Sequence, residues 1–410
     1  MSGERNSVLF VHHRDISTSY GSTAEHHVSR KMAESATVHV LCHGRRDVED
    51  EDGPPQDVVY HTVDTGSIPL VSGILFHALC LLYGVVLGIR HRYDAVYSFQ
   101  RTVPQGWATA TAGGSRFVVG LVSVPVRQKR DFIESSGRRD LKSRLTMELK
   151  SLYAALFGAL LVRTTAVVCL TEGIRQVTEE EYGVDLSDAF VIGMGVDVDA
   201  FVEGARRGAE GRRADDEADL VVTYVGSIGL IRGIGDVIEA VDESDHHIRF
   251  RVVGDGDDET VEQLQARARE LGVADRVEWV GLVPHDEVPR MLGETDVAVS
   301  PLGDIESFRI SFPGKLLEYM AAGTVVVATD LLAHRQLLTH GENGLLYDGT
   351  TEELVATLDA CVEGDVDTRA LARNARSTAE DYDWDVITAR HERVLFDRLV
   401  EQRRAAPVSA

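Results

Sequence analysis

The sequence predicts two doubly wound α/β domains, each a parallel sheet with helices on both faces. Three observations carry this. Short apolar, β-branched runs alternate with helical stretches along the whole chain. The series stops after residue 192 and restarts at residue 220. A length of 410 residues suits two domains, each large enough to bury its own core.

In chain order, the first series of strands is predicted at Val8–Val11, Val38–Leu41, Val58–Val63, Ala95–Phe99, Phe117–Val122, Val167–Leu170 and Phe190–Ile192. The second is Leu220–Val225, Ile248–Val253, Val277–Val280, Val297–Ser300, Val325–Ala328 and Gly344–Tyr347. Strands that alternate with helices form parallel sheets, because a parallel pair needs a crossover. Domain bounds follow as 1–200 and 201–383, with 384–410 a final helix packing back toward the first domain. Between the series, Val202–Asp219 is rich in Gly, Arg, Asp and Glu and shows no apolar period, so it reads as a flexible linker. From Trp384 to about Arg403 the pattern is that of an amphipathic helix.

The segment Ile68–Ile89 contains no Asp, Glu, Lys or Arg and is long enough to cross a bilayer, which takes roughly 20 residues. It lies between two strands assigned to one sheet, so a crossing would divide that sheet between two sides of a membrane. A buried or interface-lying helix is the expectation.

The net charge is −24 and the four cysteines are scattered. The acidic balance argues against nucleic acid as a partner, and the cysteine spacing gives no metal motif or disulfide framework. The N-terminus shows no signal-peptide anatomy. We therefore expect a cytoplasmic protein with reduced thiols. Only five residues are lysine (Lys31, Lys129, Lys142, Lys150, Lys315), leaving 42 − 5 = 37 arginines. Acidic and lysine-poor, the composition is that of a protein from a high-salt cytoplasm of the haloarchaeal kind.

Lys315 is the one lysine after residue 150. It stands in Ile310-Ser-Phe-Pro-Gly-Lys-Leu-Leu-Glu-Tyr-Met-Ala-Ala-Gly323, where Pro313 suits the first turn of a helix. The amides of Gly314, Lys315 and Leu316 would then point, with the positive end of the helix dipole, at an anion. Lys315 and Glu318 are three apart and share a face. An ammonium for phosphate and a carboxylate for a diol fit a nucleotide sugar; an ordinary surface ion pair fits the same residues. Upstream, Val225-Gly226-Ser227-Ile228-Gly229-Leu230-Ile231-Arg232-Gly233 joins a strand to a predicted helix Ile234–Val241, as a phosphate-binding turn or a merely close-packed one would.

In order, Gly226…Arg232-Gly233, Val253-Gly254-Asp255-Gly256, Gly281-Leu-Val-Pro-His285, Asp296-Val-Ala-Val-Ser-Pro301, Ser311-x-Pro-x-Lys315-x-x-Glu318 and Glu342-Asn343-Gly344 resemble the donor-binding half of retaining glycosyltransferases of the GT-B fold, family 4, group 1 type. Ile192-Gly-Met-Gly195-Val-Asp197-x-x-x-Phe201 resembles that family's hinge, and closure about Gly195–Phe201 would exclude water.

The resemblance implies a sugar transferred from a nucleotide-diphosphate donor, UDP- or GDP-linked, to a hydroxyl of a glycan or lipid-linked glycan, with retention and without a metal or resident cofactor. Arg232, Lys315 and Glu318 would be catalytic. Gly226, Ser227, Gly233, Gly254, Ser311, Pro313 and Gly314 would hold the donor. The family's first basic residue and first glutamate are replaced here by Ser227 and Ile310. Those departures keep two alternatives open: a non-catalytic nucleotide or partner module, and a nucleotide-sugar epimerase.

On the acceptor side the resemblance points to His12 and His13, after the first strand, with Gly21 and Ser22; polar loop residues would look the same. Arg127, Lys129, Arg130, Arg138, Arg139 and Lys142 form a basic island before an apolar helix, Leu152–Val162. Peripheral contact with the inner face of a membrane, a grip on a lipid pyrophosphate, or a solvated helical face would each account for it. Oligomeric state is not legible.

Overall fold

In the computed structural model, the described residues are 5–13, 24–44, 57–65, 71–123, 153, 155–211 and 218–397. The chain divides into two compact units, Met1–Met194 with Trp384–Ala410, and Gly195–Asp383.

The first unit holds a seven-stranded sheet in the order β3-β2-β1-β4-β5-β6-β7. Its strands are β1 (Ser7–Val11), β2 (Thr37–His43), β3 (Val58–Val63), β4 (Ala95–Phe99), β5 (Arg116–Leu121), β6 (Ala166–Cys169) and β7 (Phe190–Val191). Every pairing is parallel; Val8, for example, sits beside Val38 on one side and Ala95 on the other. Continuous apolar runs suit this sheet, because helices cover both faces and leave no wet side.

β3 and β4, which flank the helix Val71–His91, lie in this same sheet. That helix, although long and apolar enough to cross a membrane, therefore runs as a crossover and not as a span. The closing helix Trp384–Phe396 belongs to this unit. Trp384 stacks on His27 with ring centroids 4.4 Å apart. Lys31 pairs with Asp385 at 2.7 Å, and the Tyr97 hydroxyl meets His391 Nδ1 at 3.1 Å.

The second unit repeats the plan with six parallel strands, β10-β9-β8-β11-β12-β13. They are β8 (Leu220–Val225), β9 (Ile248–Val253), β10 (Val277–Gly281), β11 (Val297–Ser300), β12 (Val325–Thr329) and β13 (Leu345–Tyr347). Alternate residues feed opposite cores, as period-two geometry requires. Val297, Val299, Val325 and Val327 pack into one core with Ile238 and Phe250. Ala298, Val326 and Ala328 pack into the other with Met320 and Leu317.

One expectation is corrected. The supposed linker is largely the helix Val198–Gly211; residues 212–217 lie outside the described set. Val198, Phe201 and Ala205 supply its buried stripe. Gly204 and Gly208 let it approach the helix Val288–Gly293 so closely that a Cβ on Gly208 would sit 1.9 Å from Arg290 O. The glycines that looked like flexibility are contact positions.

Candidate functional site

In an open parallel sheet, ligands bind beyond the carboxyl ends of the strands where the strand order reverses. In the second unit that point lies between β8 and β11. The backbone there is tightly stitched. The Gly226 N–H donates to Val253 O, Ile228 N–H to Asp255 O, and Gly254 N–H to Gly281 O at 2.9 Å. Gly254 has φ +139°, and a Cβ on it would lie 1.8 Å from Gly226 O. Gly233, at φ +69°, is equally close to Pro301 O. Side chains at either position would push apart turns that now present bare backbone.

The helix Gly314–Ala322 is fixed to this edge by Tyr319. Its buried hydroxyl accepts from the Val225 N–H at 2.9 Å and donates to Val225 O at 3.2 Å; burial raises the phenol pKa and outweighs the Val225 hydrogen bond, which lowers it. At the other end, Arg376 donates to the carbonyls of Ala321 and Ala322, a cation at the negative end of the dipole.

Pro313 is the N-cap rather than part of the first turn. Of the three amides expected to face an anion, Gly314 N–H donates to Phe312 O and Leu316 N–H to Pro313 O, so the anion-facing role passes to the Lys315 amide and side chain. The turn tightens because proline at the cap holds the two carbonyls before the helix within reach of its first amides.

Lys315 and Glu318 do share a face. Lys315 Nζ lies 3.1 Å from Glu318 Oε2. His285, from the loop after β10, adds its Nε2 at 3.2 Å from Oε1. The Glu318 side chain is 16 % exposed against 64 % for His285, so the carboxylate is set back behind its two donors. Burial pushes the Glu318 carboxyl up, but the His285 hydrogen bond and the Lys315 charge outweigh it and hold the group below its ordinary value. It is a carboxylate at neutral pH.

Arg232 lies 4.9 Å from the centroid of the Phe308 ring, a cation–π contact, and among the described residues no carboxylate pairs with it. Ser311 Oγ donates to Phe308 O at 2.9 Å, so it braces the end of the short helix Glu306–Arg309 that carries Phe308. Ser227 is exposed, and its carbonyl accepts from the Tyr224 hydroxyl at 2.8 Å. The structure thus gathers Gly226, Ser227 and Gly254 at one turn, Arg232 and Ser311 about Phe308, and Lys315 with Glu318 at the helix mouth. Sequence reasoning had not singled out His285, Phe308 or Tyr319 as site residues.

In the first unit, His12, read either as an acceptor-side residue or as a polar loop residue, directly follows β1. It is 3 % exposed, with Nε2 3.8 Å from Glu25 Oε1 and its ring against Phe99. His13 stays partly exposed, 4.9 Å from the His12 ring. Glu25, in the first turn of the helix Ala24–Met32, is the residue that the helix brings against His12. Gly21, Ser22, Arg127, Lys129, Arg130, Arg138, Arg139 and Lys142 lie outside the described residues.

Residues 219–363 match the family Glycosyl transferases group 1. The chain is 28 % identical over 239 residues to a D-inositol 3-phosphate glycosyltransferase of Xylanimonas cellulosilytica, covering 54 % of this chain and 56 % of that one. It is 31 % identical over 217 residues to a phosphatidyl-myo-inositol mannosyltransferase of Mycobacterium tuberculosis, covering 51 % and 54 %. The chain thus spans about half the length of the curated relatives it matches.

Among solved structures, Anabaena HepE in complex with UDP aligns with a TM-score of 0.68 at 17 % identity, covering 95 % of this chain and 99 % of that one. A glycosyltransferase from Rickettsia africae aligns with a TM-score of 0.72 at 15 % identity, covering 96 % and 99 %. Residues 219–363 are accordingly a group 1 glycosyltransferase domain, in a chain with the GT-B fold of two parallel-sheet, Rossmann-like units.

Proposed function

We propose that the protein transfers a sugar from a nucleotide-diphosphate sugar, UDP- or GDP-linked, to a hydroxyl of a glycan or lipid-linked acceptor, with retention of configuration. The observation that carries this is the Glu318 carboxylate, ionised and held by Lys315 and His285 at the mouth of a helix beside the Gly226 and Gly254 turns. Glu318 accepts from the ribose diol. Lys315 and Arg232 take the charge that develops on the diphosphate as the bond from the anomeric carbon to phosphate oxygen breaks. The acceptor oxygen forms the new bond on the same face, and its proton passes to the departing phosphate. No resident cofactor and no metal is needed on this reading, and the reaction is cytoplasmic.

The test follows nucleoside diphosphate release from UDP- and GDP-sugars with and without an acceptor panel, and reads the product anomer by NMR. Acceptor-dependent release with a retained anomer supports transfer. Inversion removes retention, and donor consumption without acceptor turns the assignment to an epimerase. A second reading, a binding module without turnover, is favoured by one observation: Ile310 and Ser227 replace a glutamate and a basic residue of the group 1 pattern. Donor binding with no release on any acceptor would establish it.

A further inference from the structure

The Glu318 carboxylate has fewer open acceptor positions than a ribose diol needs. Ionised, it offers about four lone-pair sites, two on each oxygen. Oε1 already takes His285 Nε2 at 3.2 Å and Lys315 Nζ at 3.3 Å, and Oε2 takes Lys315 Nζ at 3.1 Å. Because an ionised carboxylate has no proton to give, Nε2 carries the hydrogen in its contact. One site is left, on Oε2, and a diol brings two hydroxyls. One protein donor must leave before both can bond.

The two donors are held differently. Lys315 is 44 % exposed on a flexible four-carbon stem, and a diphosphate offers its ammonium a stronger partner. Its departure frees a site on each oxygen. The exposed His285 is fixed at both backbone and ring. Its carbonyl accepts from the Val288 N–H, and its ring meets that of the buried Phe201 edge-on, with centroids 5.9 Å apart. Both contacts lie within the second unit. His285 also keeps Glu318 ionised once Lys315 has gone. Burial pushes the carboxyl up, and of the contacts that hold it down the His285 hydrogen bond is the largest.

We propose, on the donor reading of this site, that Lys315 exchanges Glu318 for the diphosphate when the donor binds, while His285 stays on Oε1 as the positioning residue that aims the carboxylate at the ribose diol.

The test is calorimetric titration of the full-length protein with UDP and GDP, and with their 2′,3′-dideoxy forms, for wild type, His285→Ala and His285→Gln. Toward whichever of UDP and GDP binds, His285→Ala should lose about tenfold in affinity, the scale of one hydrogen bond to a charged group. The dideoxy form has no diol to be aimed at and should bind wild type and variant alike. His285→Gln, whose amide N–H also donates, should recover most of the loss. Between pH 7.5 and 5 the affinity of His285→Ala should fall away at a higher pH than that of wild type, because without His285 the Glu318 carboxyl moves up toward protonation. Lys315 and Tyr319, the other titratable groups against Glu318 among the described residues, are present in both proteins, so their contribution cancels in the comparison. A wild type that binds neither nucleotide removes the donor reading and this proposal with it. A wild type that binds, with His285→Ala matching its affinity across that pH range, overturns the proposal alone, and so does an equal loss toward the dideoxy form.

Discussion

The two units share a strand order, but one is nearly neutral, with 25 Lys and Arg against 26 Asp and Glu, and has an apolar helix on which Leu82 and Val86 are exposed. The other, with 17 against 40, a net of −23, carries almost the whole net charge of the chain. Fold and surface are thus separable. Both sheets need the same β-branched runs, whereas the exposed positions record what each unit faces. In the second unit those positions are full of arginine–carboxylate pairs such as Arg206 with Glu203, Arg290 with Glu287 and Arg335 with Asp330. Individually such exposed pairs contribute little; they mark a surface built of charge.

The largest break in the comparison comes from disarming the second unit alone. Glu318→Gln or Lys315→Ala should cut transfer about a hundred- to a thousandfold, on the scale of losing one preorganised electrostatic contact, with the melting curve unchanged. Near-wild-type turnover in both would remove the helix mouth from the account. Initial rates with saturating donor and acceptor decide it.

Acid should then expose a weakness concentrated in the first unit. Burial lowers His39 and His391 to about 4, with the His61 and His91 charges adding to the effect on His39. Burial also lowers His61 and His77. The unfolded chain binds these protons near pH 6.5. Stability is therefore full above that value and falls as pH drops toward 4, by up to about 3 kcal/mol for a histidine shifted this far. Urea midpoints at pH 7.5, 6, 5 and 4 should fall monotonically; a flat profile would contradict it.

Tyr319→Phe removes both hydrogen bonds to Val225 and leaves a buried N–H without its acceptor, at a cost of about 1–3 kcal/mol. Donor affinity should weaken with it, because the helix mouth loses its anchor. Chemical denaturation and donor titration of one preparation test both halves. The smallest effect is that of salt. Removing it should lower the melting temperature through self-repulsion of the −23 unit, and a variant neutralising Arg-poor acidic positions such as Asp258 and Glu259 should blunt that response.

How much was legible follows from range. Each of the thirteen predicted strands corresponds to one found, because a β-branched run is a local signal. Lys315 and Glu318 were readable for the same reason, three apart on one helix. The His285 contact with Glu318 spans 33 residues and depends on where the loop after β10 ends. Phe308 beneath Arg232 is a contact between two short helical turns, Glu306–Arg309 and Leu230–Arg232, that share no period. Val198–Gly211 was misread because Gly204 and Gly208 acquire meaning only once Pro289 and Arg290 lie against them. The enclosure of His12 likewise depends on a helix that starts twelve residues later.

On the proposed function, the carboxyl edge of the second sheet holds a nucleotide sugar through Glu318. Thermal stabilisation across UDP-, GDP-, ADP- and dTDP-sugars, with Glu318→Ala alongside, tests it most directly, since a ligand that binds the folded state raises its apparent stability. A UDP- or GDP-sugar should raise the melting temperature of the wild type, and the variant should lose that shift. A shift of equal size in the variant, or none with any donor, would contradict it.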